Sequence, residues 1–170
     1  MSKFYQHTLP QPYHLSVGGV LFNDKYEICI HHFYKKDFPE HLHFLADYQD
    51  EIWHLMRESI EGNEPLQDAV LRGMKEEFGA DGVVDKFLGA KIDIITVPNQ
   101  ESFEKLTVYH SVRLTGLGDR PNIDVESSSE MEWYTPESAL EIYRIQATKT
   151  NRPELNEAVI IERFMNAYGI

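Results

Sequence analysis

Between Asn63 and Gly79, apolar residues recur at Leu66, Val70, Met74 and Phe78, with Ala69 beside them. A four-residue spacing draws one apolar stripe along an α-helix, and that stripe has to be buried on something. The punctuation agrees. Asn63 or Glu64 caps the start, Pro65 suits the first turn, and Gly79 suits the left-handed residue past the end. The flanking segments are of the other kind. Residues 14–22 (HLSVGGVLF) and 26–34 (YEICIHHFY) are rich in β-branched and aromatic residues, with Asn23-Asp24-Lys25 as a turn between them, which predicts a hairpin. Further strands are expected at 87–97 and 105–114, and a short one at 130–134 leads into a helix near Pro136. A closing helix is expected from Pro153 to Tyr168. Residues 35–51 are polar with interspersed aromatics and read as a short helix after Pro39 or a long ordered loop. Strands outnumber helices and are joined partly by hairpins, so the expected class is α+β with a mixed sheet.

Composition narrows the function classes. At 170 residues the chain predicts a single domain over 1–170, because domains run to about 150 residues. Sixteen basic against 28 acidic residues leave a net charge of −12, which argues against a duplex nucleic acid partner. No apolar run of about 18 residues occurs, so no membrane partner is expected, and one cysteine, Cys29, fits a reducing, cytoplasmic setting with Cys29 as core filler. No P-loop, nucleophile elbow or G-x-G-x-x-G occurs. His31-His32 point to opposite strand faces, and His41-x-His43 has no partner completing a zinc pattern, so substrate contact or surface placement is expected for them.

Five acids lie within twenty residues: Glu58, Glu61, Glu64, Glu76 and Glu77. Positions 73, 76 and 77 share one helix face at the margin of the apolar stripe. Adjacent carboxylates there, facing a loop with three more, suit a hard divalent cation. A solvated acidic face, with Arg72 and Lys75 as intrahelical partners, is the other reading of the same residues.

Residues 58–80, ESIEGNEPLQDAVLRGMKEEFGA, resemble the Nudix box, G-x5-E-x7-R-E-U-x-E-E-x-G-U with U bulky and apolar. Glu64, Arg72, Met74, Glu76, Glu77 and Gly79 fall on the required positions, with Ala80 as a small stand-in for the last one. Trp53-His54-Leu55 resembles the W-x-L before the box, and Glu132-Trp133-Tyr134-Thr135-Pro136 the family's late strand-to-helix corner. The resemblance covers roughly 14–168, leaving 1–13 as an N-terminal extension and 35–51 as a variable insert. It implies an α/β/α sandwich around the mixed sheet. It also implies a hydrolase cleaving a phosphoanhydride in a nucleoside diphosphate linked to another group, with Mg²⁺ or Mn²⁺ as cofactor. The implied catalytic set is Glu76, Glu77, Glu64 and Arg72, although tying loop to helix is an equal reading for Glu64 and a structural role the commoner one for Arg72.

Two positions depart from the pattern. The first box glycine is Glu58, and the glutamate after Arg72 is Gly73, which supplies no side-chain ligand. Glu76 and Glu77 are therefore the expected metal ligands, with Glu58 as a substitute for the carboxylate lost at 73; an exposed turn residue paired with Arg57 is the alternative for Glu58. Restoring a glutamate at 73 is expected to help the helix by roughly 0.5–1 kcal/mol. Gly73 also supports a rival function, a Nudix-fold module that binds or senses a nucleotide without turning it over. The general base falls among Asp124, Glu126, Glu130 and Glu132, with no choice between them. The expected partner is a small-molecule nucleotide or related diphosphate, whose base Phe38, Phe44, Tyr48 or Phe103 is placed to stack or else joins the core; a homodimer stays open.

Overall fold

A computed structural model describes residues 5–6, 13–96, 102–123 and 125–170. The strands are β1 (Tyr5–Gln6), β2 (Tyr13–Phe22), β3 (Ile28–Tyr34), β4 (Glu51–His54), β5 (Met56–Ser59), β6 (Ala80–Ile95), β7 (Phe103–Leu117) and β8 (Glu130–Tyr134); the helices are α1 (Leu66–Phe78), α2 (Pro136–Thr150) and α3 (Ala158–Tyr168). One mixed sheet runs β4-β3-β2-β7-β6, with β1 and β5 also on β2 and β8 on β3. Among the described residues only β2 and β7 run parallel; the other pairs are antiparallel.

Strand alternation sorts β2 into two faces. Val17 and Leu21 pack with Met56, Val70, Met74 and Phe78 under α1. Val20 and Phe22 pack with Tyr109, Tyr143, Ile160 and Phe164 under α2 and α3. The result is the expected α/β/α sandwich. A third small core, Phe33, Phe38, Leu42, Leu45, Ile52 and Leu155, seats the 35–51 segment, whose Glu40–Asp47 stretch is a 3-10 helix.

Three boundaries differ from the sequence reading. The first helix starts at Leu66, with Pro65 in the N-cap position and no side-chain cap. Glu64 does not cap because its carboxylate goes to the Arg72 guanidinium and the Glu61 N–H, and a charge-assisted bond outcompetes a cap. The closing helix is broken: Pro153–Leu155 is 3-10, and α3 begins at Ala158. The break lets the Glu157 carboxylate turn into the core, where it accepts from the Leu55 N–H and the Tyr109 hydroxyl. The β6–β7 pair is longer than expected and carries three register shifts, which interrupt the alternation that marks a strand. Gly79 takes the left-handed conformation at the end of α1, as its position predicts.

Candidate functional site

The box acids separate into two groups. Arg72, on α1, is the hub of the first. Its Nη2 donates to Glu64 Oε1 at 2.7 Å and to the Ser59 carbonyl at 2.8 Å, and its Nη1 reaches Glu76 Oε2 at 3.1 Å and Glu58 Oε2 at 3.4 Å. The Arg72 hydrogen bond holds the Glu64 carboxyl below its ordinary range. Glu64 and Arg72 thus tie the loop before α1 to the helix.

Glu58 pairs with Arg72 rather than with Arg57 because successive β5 side chains face opposite ways. Met56 and Glu58 face α1; Arg57 faces the other side of the sheet. This explains Gly73. A Cβ at position 73 would stand 2.7 Å from Met56 Sδ and 2.9 Å from Glu58 Cβ. The strand occupies the space a side chain at 73 would need, and the Glu58 side chain leaves the backbone beside the point where one from 73 would start. Relative to the family pattern, glycine and glutamate have changed places across the β5–α1 contact. The expected gain from a glutamate at 73 is therefore reversed in sign, since overpacking outweighs propensity.

Glu77 forms the second group. It is buried, and its Oε2 lies 2.7 Å from His31 Nε2 on β3. Burial, then the charges of Arg120 and Arg57, push the His31 pKa well below its ordinary value. The imidazole is thus neutral and donates Nε2–H to Glu77, which makes the contact a hydrogen bond, not an ion pair. Nδ1 is left facing the Ser129 hydroxyl at 2.8 Å, and the one proton of that hydroxyl is shared between Nδ1 and the Glu126 carbonyl, also at 2.8 Å. Arg120 fixes this end by donating to the Ser129 carbonyl at 2.7 Å and to the Glu126 carbonyl.

The sign of the linkage follows. His31 binds its proton near pH 6.5 when unfolded and only well below that when folded, so acid favours the unfolded chain. Stability is full above about pH 6.5 and falls as pH drops toward about 5. Thermal melts across that range should show the fall, and His31→Gln should flatten it; an unchanged slope in the variant assigns the acid sensitivity elsewhere.

His31 and Glu77 open onto a cavity of about 330 Å³ beside the 35–51 segment. Phe33, Leu42, Leu45 and Phe103 give it an apolar wall, while Arg57, Lys105 and Arg152 bring cations to it. Of the aromatics expected near a base, Phe44 and Phe103 line the cavity, Phe38 is core, and Tyr48 is exposed. Among the late acids, Glu126 lines the cavity, Glu132 accepts from Tyr134 and contacts His32 at 3.0 Å, and Asp124 lies outside the described residues. The side chain of His41 also lies outside them; His43 bonds the Phe38 carbonyl. Cys29 is buried and its thiol is pushed up to about 12, which removes it as a nucleophile.

Sequence reasoning missed Lys105, and it left His31 between substrate contact and surface placement, whereas His31 is buried against Glu77. Alternation in residues 28–34 placed His31 on the same face as Cys29 and Phe33, and that was the one available signal.

The arrangement of one mixed sheet between α1 on one face and α2 and α3 on the other is also found in solved structures. A Nudix hydrolase from Nitrosomonas europaea superposes with a TM-score of 0.61 at 14% identity, over 90% of this chain and 88% of that one. The chain has the Nudix fold. An Ap4A hydrolase from C. elegans matches at TM-score 0.58 and 15% identity, over 91% and 97% of the two chains. A MutT protein from Methanosarcina mazei matches at 0.51 and 17%, over 86% and 99%. Neither a family model nor a curated protein sequence matches this chain. No described helix is long and apolar enough to cross a membrane.

As the side chains are placed, no three His, Cys, Asp or Glu among the described residues stand close enough to hold a metal ion. The donor set nonetheless fits Mg²⁺ or Mn²⁺ in kind. Such ions take one or two carboxylates, waters and ligand phosphates rather than a closed protein cage. Glu58 and Glu76 already converge on one nitrogen, Arg72 Nη1.

Proposed function

We propose that this chain is a Nudix-type pyrophosphohydrolase that cleaves a phosphoanhydride in a nucleoside diphosphate linked to another group, using Mg²⁺ or Mn²⁺. The observation that carries the proposal is the position of Glu58, whose Cβ stands 2.9 Å from where a side chain at Gly73 would begin. The carboxylate missing from the helix is thereby supplied from β5. In this proposal Glu58, Glu76 and Glu77 hold the cation, and Glu64 and Arg72 position the first two. When bound, the cation supplies charge neutralisation on the phosphate oxygens and a more acidic water. His31 keeps the Glu77 carboxylate aimed into the cavity by donating to it and never competing for charge. The apolar wall at Phe33, Leu45 and Phe103 excludes water around the rest of the ligand, and Arg57 and Lys105 attract its negative charge.

Nucleoside diphosphate derivatives incubated with Mg²⁺ and with Mn²⁺, and scored for released phosphate-containing products, test the proposal. Glu77→Gln should lower turnover at least about a hundredfold, the usual scale for losing a positioned acid–base or ligand group. The buried contact with His31 makes this variant less stable by about 1–2 kcal/mol, since an amide accepts a weaker hydrogen bond than a carboxylate. Full turnover in Glu77→Gln removes Glu77 from the chemistry.

Gly73, together with the hold of Arg72 on Glu58 and Glu76, favours a second function: a Nudix-fold module that binds the same ligand class without hydrolysis. Nucleotide binding that is indifferent to divalent cations, with no turnover in the screen, selects it.

A further inference from the structure

We propose that Lys105, with Arg57 beside it, forms an anion subsite that takes phosphoryl oxygens of the ligand directly, with no cation between. The proposal deepens the function proposed above, since it rests on a diphosphate entering this cavity.

Lys105 stands on β7, opposite Asp93 of β6 in register, and its side chain lines the cavity. Its neighbours' charges are already matched. Asp93 is taken by Lys91 at 2.7 Å, Arg152 by Glu154 at 2.9 Å, and Arg57 has Glu157 at 3.8 Å with His54 Nδ1 at 2.8 Å. Lys105 alone of these cations has no hydrogen-bond or ion-pair partner among the described residues. A half-buried ammonium with three idle donors costs free energy, and a fold keeps it where an acceptor arrives from outside. Burial, and next the charge of Arg57, hold the Lys105 pKa down to about 7, so the site resists a second positive charge until an anion brings a compensating one. The opposite wall is apolar, so the matching ligand has a phosphoryl end and a weakly polar end.

Pyrophosphate titrated calorimetrically into the full chain in EDTA tests the subsite with no cation present. The parent should bind, Lys105→Met should bind at least about tenfold more weakly, the usual scale for one charge-assisted hydrogen bond, and Lys105→Arg should keep the affinity. Without ligand, Lys105→Met should melt at a higher temperature than the parent, because an apolar chain of similar length replaces an unpaired ammonium. Lys105→Gln repeats both measurements if the methionine variant does not fold. Absence of pyrophosphate binding by the parent, equal affinity in Lys105→Met, or a lower melting temperature alongside lost binding overturns the subsite. Turnover of nucleoside diphosphate derivatives with Mg²⁺ or Mn²⁺ is scored separately. Turnover without pyrophosphate binding in EDTA sinks the subsite and leaves the hydrolase standing. Binding lost in Lys105→Met, without turnover of any substrate, sinks the hydrolase and upholds the subsite.

Discussion

Gly73→Glu introduced alone is expected to lower stability by about 1–2 kcal/mol, although it restores the family residue at that position. Glycine to glutamate inside a helix gains about 0.5–1 kcal/mol of propensity. Against that, the new Cβ meets Met56 Sδ at 2.7 Å and Glu58 Cβ at 2.9 Å. Met56 is wholly buried and Glu58 Cβ is fixed to the β5 backbone, so relief requires the strand to move. Glu58→Gly removes the second obstacle outright. By itself that change costs a strand glycine and the 3.4 Å contact with Arg72. Combined with Gly73→Glu it leaves the Met56 side chain as the one close obstacle and rebuilds the family arrangement. The double variant should therefore be more stable than the sum of the singles by about 1–2 kcal/mol, read from urea midpoints at unchanged slope. Additivity within about 0.5 kcal/mol ends the idea that the two residues exchanged places. Mn²⁺ titration adds the functional half: Glu58→Gly should bind the cation more weakly than the parent, and the double variant should recover the affinity.

That exchange was half legible in the sequence. The helix, its Gly79 terminus and the opening hairpin follow from local periodicity and turn chemistry, which depend on residues a few positions apart. Glu58 and Gly73 could each be read as departures from a pattern, and compensation between them could be framed. Whether they touch depends on the β2–β5 register, in which Val17 pairs with Glu58 and Gly18 with Arg57. No local signal sets that register, so the sequence left Arg57 as the partner of Glu58, and strand alternation gives Arg72 instead. The cavity was less legible still. Glu157 reaches Leu55 across 102 positions and His31 reaches Glu77 across 46, and the chain between them carries no mark of either meeting. Lys105 reads in the sequence as an ordinary strand lysine; its lack of a partner appears only once Lys91 is seen on Asp93.

Arg72→Met should have the largest effect on stability, and a divalent cation should reverse part of it. The substitution keeps the aliphatic stem but leaves Glu58, Glu64 and Glu76 facing one another without a guanidinium. Breaking a fully buried ion pair costs about 3–5 kcal/mol and an exposed one at most about 1. Arg72 is partly exposed, at 22%, so solvent screens the pairs and a loss of about 2–3 kcal/mol is expected. The pH dependence has a fixed sign. Arg72 depresses the Glu64 pKa in the folded chain, so its contribution is present above the unfolded carboxylate value and is lost as pH falls through the folded one. The stability gap between parent and variant should therefore narrow in acid. At neutral pH, Mn²⁺ should raise the melting temperature of Arg72→Met more than that of the parent. In the parent the cation competes with Arg72 for the oxygens of Glu58 and Glu76; in the variant those oxygens are free of it. A cation that binds only the folded chain at a hundred times its Kd contributes about 2.7 kcal/mol, enough to offset most of the expected loss. An equal or smaller Mn²⁺ response in the variant would mean that the carboxylates gathered on Arg72 are a structural clasp and do not line a cation site.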